Sequence, residues 1–203
     1  MKIICIGRNY ADHISELNNE RPTEPVIFMK PDSSILPNKN PFVIPAFSND
    51  IHHEVEILVK ICKVGKHIDA KFAHKYYEEI GLGIDFTARD VQTKLKEKGL
   101  PWEKAKAFDH SAVIGSFTSK KNYTSLENIN FELKSNGVIV QEGNTNLMLW
   151  KIDELISYIS QYFTLKIGDI IFTGTPKGVA KVTEGDVLEG FIEGKSMFKI
   201  QIR

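Results

Sequence analysis

The sequence predicts a strand-rich α+β fold. Apolar or alternating runs of strand length outnumber helical stripes, and turn residues punctuate them at irregular intervals. Strands and helices do not alternate regularly, which sets aside a Rossmann-type sheet or an α/β barrel.

The elements follow in order. Residues 2–7 are an apolar run ending at Gly7, as in a buried strand. Arg8 to Asn18 reads as a helix, with Tyr10, Ile14 and Leu17 at helical spacing. Residues 19–25 are a polar, proline-punctuated loop, and Val26 to Lys30 is a strand ended by Pro31. A loop rich in Pro, Asn and Ser then leads to an extended Phe42 to Pro45. From Glu54 to Val64, Val55, Ile57, Val59 and Ile61 alternate with Glu54, Glu56, Leu58 and Lys60. Both faces of that strand are partly apolar, which suits a central position. Ala70 to Glu79 reads as a helix led in by Ile68, Ile80 to Phe86 as a strand, and Thr87 to Lys98 as a helix closed by Gly99 and Pro101. Phe131 to Val140 is a hairpin around Asn136-Gly137, a pair suited to a type I′ turn. Lys151 to Phe163 is an amphipathic helix, and Ile170 to Thr173, Val187 to Ile192 and Met197 to Ile202 are strands. No repeat, low-complexity segment or linker interrupts the chain, so residues 1–203 read as one domain.

Composition narrows the function. With 26 basic and 26 acidic residues the net charge is zero, which argues against nucleic acid or an anionic membrane as a main partner. The lysine-rich stretches Lys94 to Lys98 and Ser119 to Lys121 read as solvated surface. No run approaches the length of a membrane span, and the N-terminus turns polar too soon for a signal peptide. Cys5 and Cys62 lie in apolar runs and read as buried, inert thiols, which points to the cytoplasm.

Glu54 and Glu56 carry the first chemical signal. Residues two apart on a strand share a face, so two carboxylates project side by side from a segment that otherwise reads as core. Such neighbours repel, and a divalent cation keeps both ionised. Asp85, in another buried-looking stretch, is a candidate third ligand. Three oxygens favour Mg²⁺, Mn²⁺ or Ca²⁺ over zinc. Two solvated glutamates on an exposed edge are the plainer alternative, and the E-x-E spacing alone does not decide.

Other residues add possibilities. His13 and Glu16 are three apart on the predicted helix, where a carboxylate holding one imidazole nitrogen raises the basicity of the other. Solvated surface contact accounts for such a pair equally well. Lys106, within Ala-Lys-Ala-Phe, suits a semi-buried position. By alternation His52 shares the face of Glu54 and Glu56 and reads as a supporting residue, whereas His53 points to the core or an interface. His67, His74 and His110 read as surface. Arg89 is read as a structural ion-pair partner of Asp90.

Seven blocks, in order, give these signals a context: Gly7-Arg8-Asn9-Tyr10-Ala11-Asp12-His13, Phe28-Met29-Lys30-Pro31, His53-Glu54-Val55-Glu56, Asp85-Phe86-Thr87-Ala88-Arg89-Asp90-Val91-Gln92, Ala105-Lys106-Ala107-Phe108-Asp109, Gln141-Glu142-Gly143-Asn144-Thr145 and Phe172-Thr173-Gly174-Thr175-Pro176-Lys177-Gly178-Val179. The chain resembles the fumarylacetoacetate hydrolase family, in its compact acylpyruvate hydrolase and oxaloacetate decarboxylase branch. Met29, where relatives often carry Leu, is a mild departure.

The resemblance implies a mixed β-sandwich roll with a few peripheral helices and a homodimer. It implies a Mg²⁺ or Mn²⁺ site formed by Glu54, Glu56 and Asp85, with Lys106 as a catalytic cation beside it. It makes residues of about 8–24 a helical lid, hinged around Asn18 to Glu24, that brings a catalytic His13–Glu16 dyad to the metal. Arg8, Gln92 and the backbone near Gly174 and Thr175 are then substrate contacts. The implied substrate is a small 2-oxo acid. Hydrolysis of a C–C bond in acylpyruvates, through a metal-held pyruvate enolate, ranks first because the dyad is intact. Oxaloacetate decarboxylation or keto–enol tautomerisation at the same site is the alternative. A non-catalytic relative is expected to have lost a ligand, the lysine or the dyad, and all are present.

Overall fold

In the computed structural model, which describes residues 1–16 and 20–203, the chain opens on β1 (Ile3–Gly7) and α1 (Ala11–Glu16). The helix is shorter than its apolar stripe suggests. Arg8 takes a left-handed φ of 60°, which a helix cannot accommodate, so the helix starts at Ala11. Tyr10 and Ile14 are buried as expected, while Leu17 and the start of the expected hinge lie outside the described residues. β2 (Val26–Lys30) has the predicted bounds.

The predicted strand over Glu54 to Val64 is β4 (Val55–Ile61), and a further strand that was not predicted, β3 (Ile51–His53), precedes it in a different sheet. β4 ends at Ile61, so Cys62 is exposed rather than buried; both cysteines are free. The predicted helix over Ala70 to Glu79 is confined to α2 (Ala70–Ala73). From Tyr77 the chain pairs with β4 as β5 (Tyr77–Asp85), with Tyr77 opposite Ile61 and Glu79 opposite Lys60. Ladder formation and the burial of Tyr77 outweigh local helix propensity there.

β6 (Thr87–Ala88) leads into α3 (Arg89–Glu97), which Gly99 closes with a left-handed φ of 61°. α4 (Glu103–Lys106) and β7 (Ala112–Ser119) were not evident from the sequence pattern, because Gly115 and Ser116 break the apolar alternation. β8 (Asn130–Ser135) and β9 (Val138–Asn144) form the expected hairpin, with Asn136 and Gly137 both at positive φ as a type I′ turn requires. α5 (Ile152–Tyr162), β10 (Ile170–Phe172), a short β11 (Ala180–Lys181), β12 (Val187–Ile192) and β13 (Lys195–Gln201) complete the chain.

Among the described residues the strands make three sheets. The largest is mixed, in the order β2-β1-β10-β4-β5-β7, with β1 and β10 parallel and the other pairs antiparallel. β4 is central, as its two partly apolar faces predict. The sheet β13-β12-β8-β9 packs on the β5–β7 side, where Ile57, Leu82, Leu133, Leu188 and Ile192 belong to one core. The opposite face of the large sheet buries Ile3, Cys5, Leu58 and Phe172. The third sheet, β11-β3-β6, bridges the segments on either side of the carboxylates. This is the expected strand-rich roll with peripheral helices.

Gly83, in the middle of β5, is set by close approach. A Cβ there would lie 2.2 Å from the Val113 carbonyl oxygen and 2.9 Å from Leu58 Cδ1. Gly83→Ala should destabilise the fold by roughly 1–3 kcal/mol, the usual range for an overpacked core. Urea unfolding measures this, and an unchanged midpoint would mean that β7 moves aside freely.

Candidate active site

Strand register brings the carboxylates together. Glu54 leads directly into β4, where Glu56 pairs with Gly83 of β5. Alternation puts Asp85 on the face of Gly83, and its N–H donates to the Glu54 carbonyl at 2.9 Å. One oxygen from each of Glu54, Glu56 and Asp85 lies within 4.8 Å of the others, and all three residues are buried.

Cations compensate this burial. Lys106, at the end of α4, donates to Glu54 Oε2 at 2.8 Å, Asp85 Oδ2 at 2.7 Å and Thr87 Oγ1 at 2.6 Å. Burial opposes its charge, but Asp85 and Glu54 outweigh that and raise its pKa above the ordinary lysine value. Lys30, at the end of β2, is fully buried 2.8 Å from Asp85 Oδ1 and donates to Ser111 Oγ at 2.9 Å and to the Lys106 carbonyl. Arg89 donates to Glu54 Oε1 at 2.5 Å and to Gln92 Oε1 at 2.7 Å. The expected Arg89–Asp90 pair is therefore absent. Asp90 instead accepts from Ser48 Oγ at 2.6 Å and from the Val91 N–H at 2.8 Å. The first turn of α3 aims Arg89 at the site while Asp90 ties its base to the neighbouring loop.

The three carboxylates are not equivalent. Burial works against ionised Glu54, but Lys106, Arg89 and His13 together hold it well below the usual carboxylate range. Burial, then Asp85 and then Glu54, push Glu56 well above that range. The Gly174 N–H, at 2.7 Å from Glu56 Oε2, offsets this only partly. Glu56 is the member that most needs a further positive charge. A hard divalent cation suits this all-oxygen donor set and meets that need, so the residues fit such an ion.

A cleft opens over the carboxylates. Arg8, His13, Arg89, Gln92, Lys106 and Thr175 line it, and Phe28 and Trp102 wall one side with ring centroids 6.1 Å apart. His13 is buried on α1, and its Nδ1 lies 3.0 Å from Glu16 Oε2, the dyad expected from helical spacing. Glu16 Oε1 accepts from the Gly178 N–H at 2.9 Å, and Lys177 pairs with Asp12 at 3.0 Å, so α1 is fastened to the loop after β10.

Of the expected substrate contacts, Arg8, Gln92 and Thr175 line the cleft, but the Gly174 N–H is committed to Glu56. Glycine is needed at 174 for its left-handed φ of 101° and because a Cβ would lie 2.8 Å from Asn9 Cβ. His53 is buried in the core, with Nδ1 2.9 Å from Gln141 Oε1. His52, on β3, pairs with Asp50 at 3.0 Å, and Arg89 and Glu54 both act on its charge. His67, His74 and His110 are exposed, as expected. The sequence reading missed Lys30, Thr87 and the pairing of Arg89 with Glu54. A lysine closing the apolar run Val26–Met29 was the available signal for the first.

The family described as Fumarylacetoacetate (FAA) hydrolase C-terminal matches residues 2–203. The chain belongs to the fumarylacetoacetate hydrolase family. Among relatives of this family, the mitochondrial oxaloacetate tautomerase FAHD1 of Bos taurus is 42% identical over 200 residues, covering 98% of this chain and 90% of the relative. The mitochondrial oxaloacetate decarboxylase of Dictyostelium discoideum is 45% identical over 194 residues, covering 95% and 89%. A solved structure of fumarylpyruvate hydrolase from Pseudomonas aeruginosa, in complex with Mn²⁺ and pyruvate, superposes with a TM-score of 0.93 at 31% identity, covering 100% of this chain and 89% of that one. No helix among the described residues is long and apolar enough to cross a membrane.

Proposed function

We propose that this protein is a divalent-metal-dependent enzyme of small 2-oxo acids and that its main reaction is keto–enol tautomerisation of oxaloacetate. The observation that carries this reading is the buried Lys106 ammonium, hydrogen-bonded to Glu54 and Asp85 beside Glu56 and opening on a cleft that His13 also lines. A cation and a candidate base beside one bound carbonyl are the parts that enolisation needs. The two relatives that are named for oxaloacetate chemistry support the choice of substrate.

The roles follow from the contacts. Glu54, Glu56 and Asp85 would hold a Mg²⁺ or Mn²⁺ ion, which when bound would supply Lewis acidity. Lys106 stabilises the negative charge that grows on the C2 oxygen as the C3 proton leaves. Glu16 accepts from His13 Nδ1–H, which leaves Nε2 to carry the proton between C3 and the C2 oxygen. Gln92 has its carbonyl end engaged by Arg89, so its amide N–H groups are the donors it offers a substrate carboxylate, beside Thr175. The segment carrying α1 acts as a lid that excludes water while Glu16 is fastened to Gly178.

A second reading keeps one specific observation in its favour. The His13–Glu16 dyad lining the cleft is also suited to removing a proton from water, whose oxygen then attacks the distal carbonyl of an acylpyruvate and breaks the C–C bond. The intact dyad alone ranks hydrolysis first. The second hydrogen bond of Glu16, to Gly178, gives that residue a fastening role too, so the dyad no longer singles out water attack.

We also propose a homodimer working in the cytoplasm. Exposed Val138 and Ile139 on the edge strand β9 are apolar side chains of the kind a partner covers. Light scattering in solution should give twice the chain mass; a single chain mass would remove the dimer.

With Mg²⁺, ketonisation of enol-oxaloacetate should exceed hydrolysis of acetylpyruvate by about a hundredfold, and chelation should abolish it. His13→Ala should lower tautomerisation by about a hundredfold while oxaloacetate decarboxylation, which needs no proton removed, falls much less. Faster hydrolysis than tautomerisation in the same preparation would make the protein an acylpyruvate hydrolase.

The raised pKa of Glu56 gives a pH prediction with a defined sign. Without metal, Glu56 holds a proton at pH values above the ordinary carboxylate range, and a cation binds its ionised form. Mg²⁺ or Mn²⁺ binding should therefore release protons at pH values between the ordinary carboxylate range and the raised Glu56 titration, and affinity should rise as pH rises through that titration. Calorimetry in two buffers of different ionisation enthalpy reads the proton count. Identical enthalpies in both would mean that Glu56 is already ionised.

A further inference from the structure

Gln141 is buried on β9, and every hydrogen-bonding position of its amide is taken. Its Oε1 accepts from the Val55 N–H at 3.1 Å and lies 2.9 Å from His53 Nδ1. Its Nε2 donates to Thr175 Oγ1 at 2.9 Å and to the Pro176 carbonyl at 3.0 Å. The Val55 N–H can only donate and the Pro176 carbonyl can only accept. Those two partners fix which end of the amide is which. His53 Nδ1 therefore carries its proton, and Thr175 Oγ1 accepts.

The direction of the Thr175 hydroxyl follows. A hydroxyl has one proton, and with Gln141 donating to the oxygen that proton points elsewhere. Thr175 is buried, lines the cleft, and donates to no acceptor among the described residues. Its support is closely packed. A Cβ at Gly178 would lie 2.5 Å from the Val140 carbonyl oxygen and 3.3 Å from Gln141 Cγ, so the loop after β10 lies directly on β9. Val55 and His53 flank Glu54, so one amide joins the backbone around a carboxylate to the loop that carries Thr175.

We infer that Gln141 is a positioning residue that makes the Thr175 hydroxyl a dedicated donor to the carboxylate of a bound 2-oxo acid. The inference rests on the 2-oxo-acid reading of the cleft. A carboxylate can only accept, so a hydroxyl free to turn would present it with lone pairs part of the time. Gln141 removes that freedom from behind, and it does not itself line the cleft.

Pyruvate, a bare 2-oxo acid, is titrated into the Mg²⁺-loaded protein by calorimetry. Thr175→Val should weaken binding by roughly tenfold, the scale of a hydrogen bond to a charged group. Gln141→Met keeps the length and removes the donor, and should weaken binding by about threefold to tenfold. Added to Thr175→Val, it should cost less than about twofold more, because its effect passes through that hydroxyl. Thr175→Ser should keep wild-type affinity and the full sensitivity to Gln141→Met. A scaffold role would instead multiply the two losses and lower Mg²⁺ affinity, since the same loop holds Glu56. Multiplied losses, or unchanged pyruvate affinity in either single variant, would overturn the assignment.

Gln141→Glu covers the case in which Gln141→Met does not fold. It keeps the acceptor toward Val55 and, once ionised, offers Thr175 only an acceptor. Its pyruvate affinity relative to wild type should fall as pH rises, and a ratio constant with pH would overturn the positioning role. Turnover separates the two levels of the reading. In Gln141→Met the KM for enol-oxaloacetate should rise with kcat little changed, and a fall in kcat alone would overturn the role. Coupled pyruvate losses without oxaloacetate turnover in wild type keep the role and remove the proposed reaction. Turnover with multiplied losses keeps the reaction and removes the role. No pyruvate binding in wild type would overturn the role together with the 2-oxo-acid reading.

Discussion

The structure depends on the neutralisation of three carboxylates buried at one end of a central strand pair. Removing such charges from water is expensive unless they are paired and hydrogen-bonded. Lys106 spans two of them, Lys30 backs Asp85, and Arg89 and Thr87 hold Glu54. Each compensating group comes from a different segment: β2 supplies Lys30, β6 Thr87, α3 Arg89 and α4 Lys106. The electrostatic requirement of the site therefore also fixes where these segments dock. Replacing any one group leaves a buried charge short of a partner, which links the site to the stability of the fold.

Glu56 is the exception in this arrangement. Its neighbours on the sheet are carboxylates, and its direct contact is a backbone N–H rather than a cation. Evenly distributed cations would have given a neutral, inert cluster. The asymmetry keeps one position electrostatically unfinished, and the cleft opens over that position. Metal fit and catalytic potential thus share one origin, the uneven division of positive charge among three acids.

Much of this was legible in the sequence, for identifiable reasons. β2, β12 and the type I′ hairpin follow from local signals, a proline stop, alternation and Asn-Gly, that tertiary contacts do not contradict. The carboxylate trio was legible because charge within an apolar strand is conspicuous. The predicted helix over Ala70 to Glu79 failed because pairing of Tyr77 and Glu79 with β4 is non-local. β7 was hidden because its Gly115 and Ser116 face the packed backbone and side chain of Met197. Arg89 went to the wrong acid because adjacency in sequence says nothing about direction: the first turn of α3 sends Arg89 and Asp90 apart. Lys30 was missed because a lysine closing an apolar strand does not announce whether its ammonium is buried or solvated.

The loop after β10 touches both the carboxylates and α1. Gly174 donates to Glu56, Thr175 and Pro176 accept from the Gln141 amide, and Gly178 donates to Glu16 on α1. Residues 174–178 are thus a short tether whose two ends report to different components. Thermodynamic linkage makes such a connection reciprocal: whatever strengthens the grip on Glu56 at one end biases the fastening of α1 at the other, and by the same free energy. In the proposed enzyme, ion occupancy and enclosure of the substrate would then be one equilibrium rather than two, with a five-residue segment as the common term.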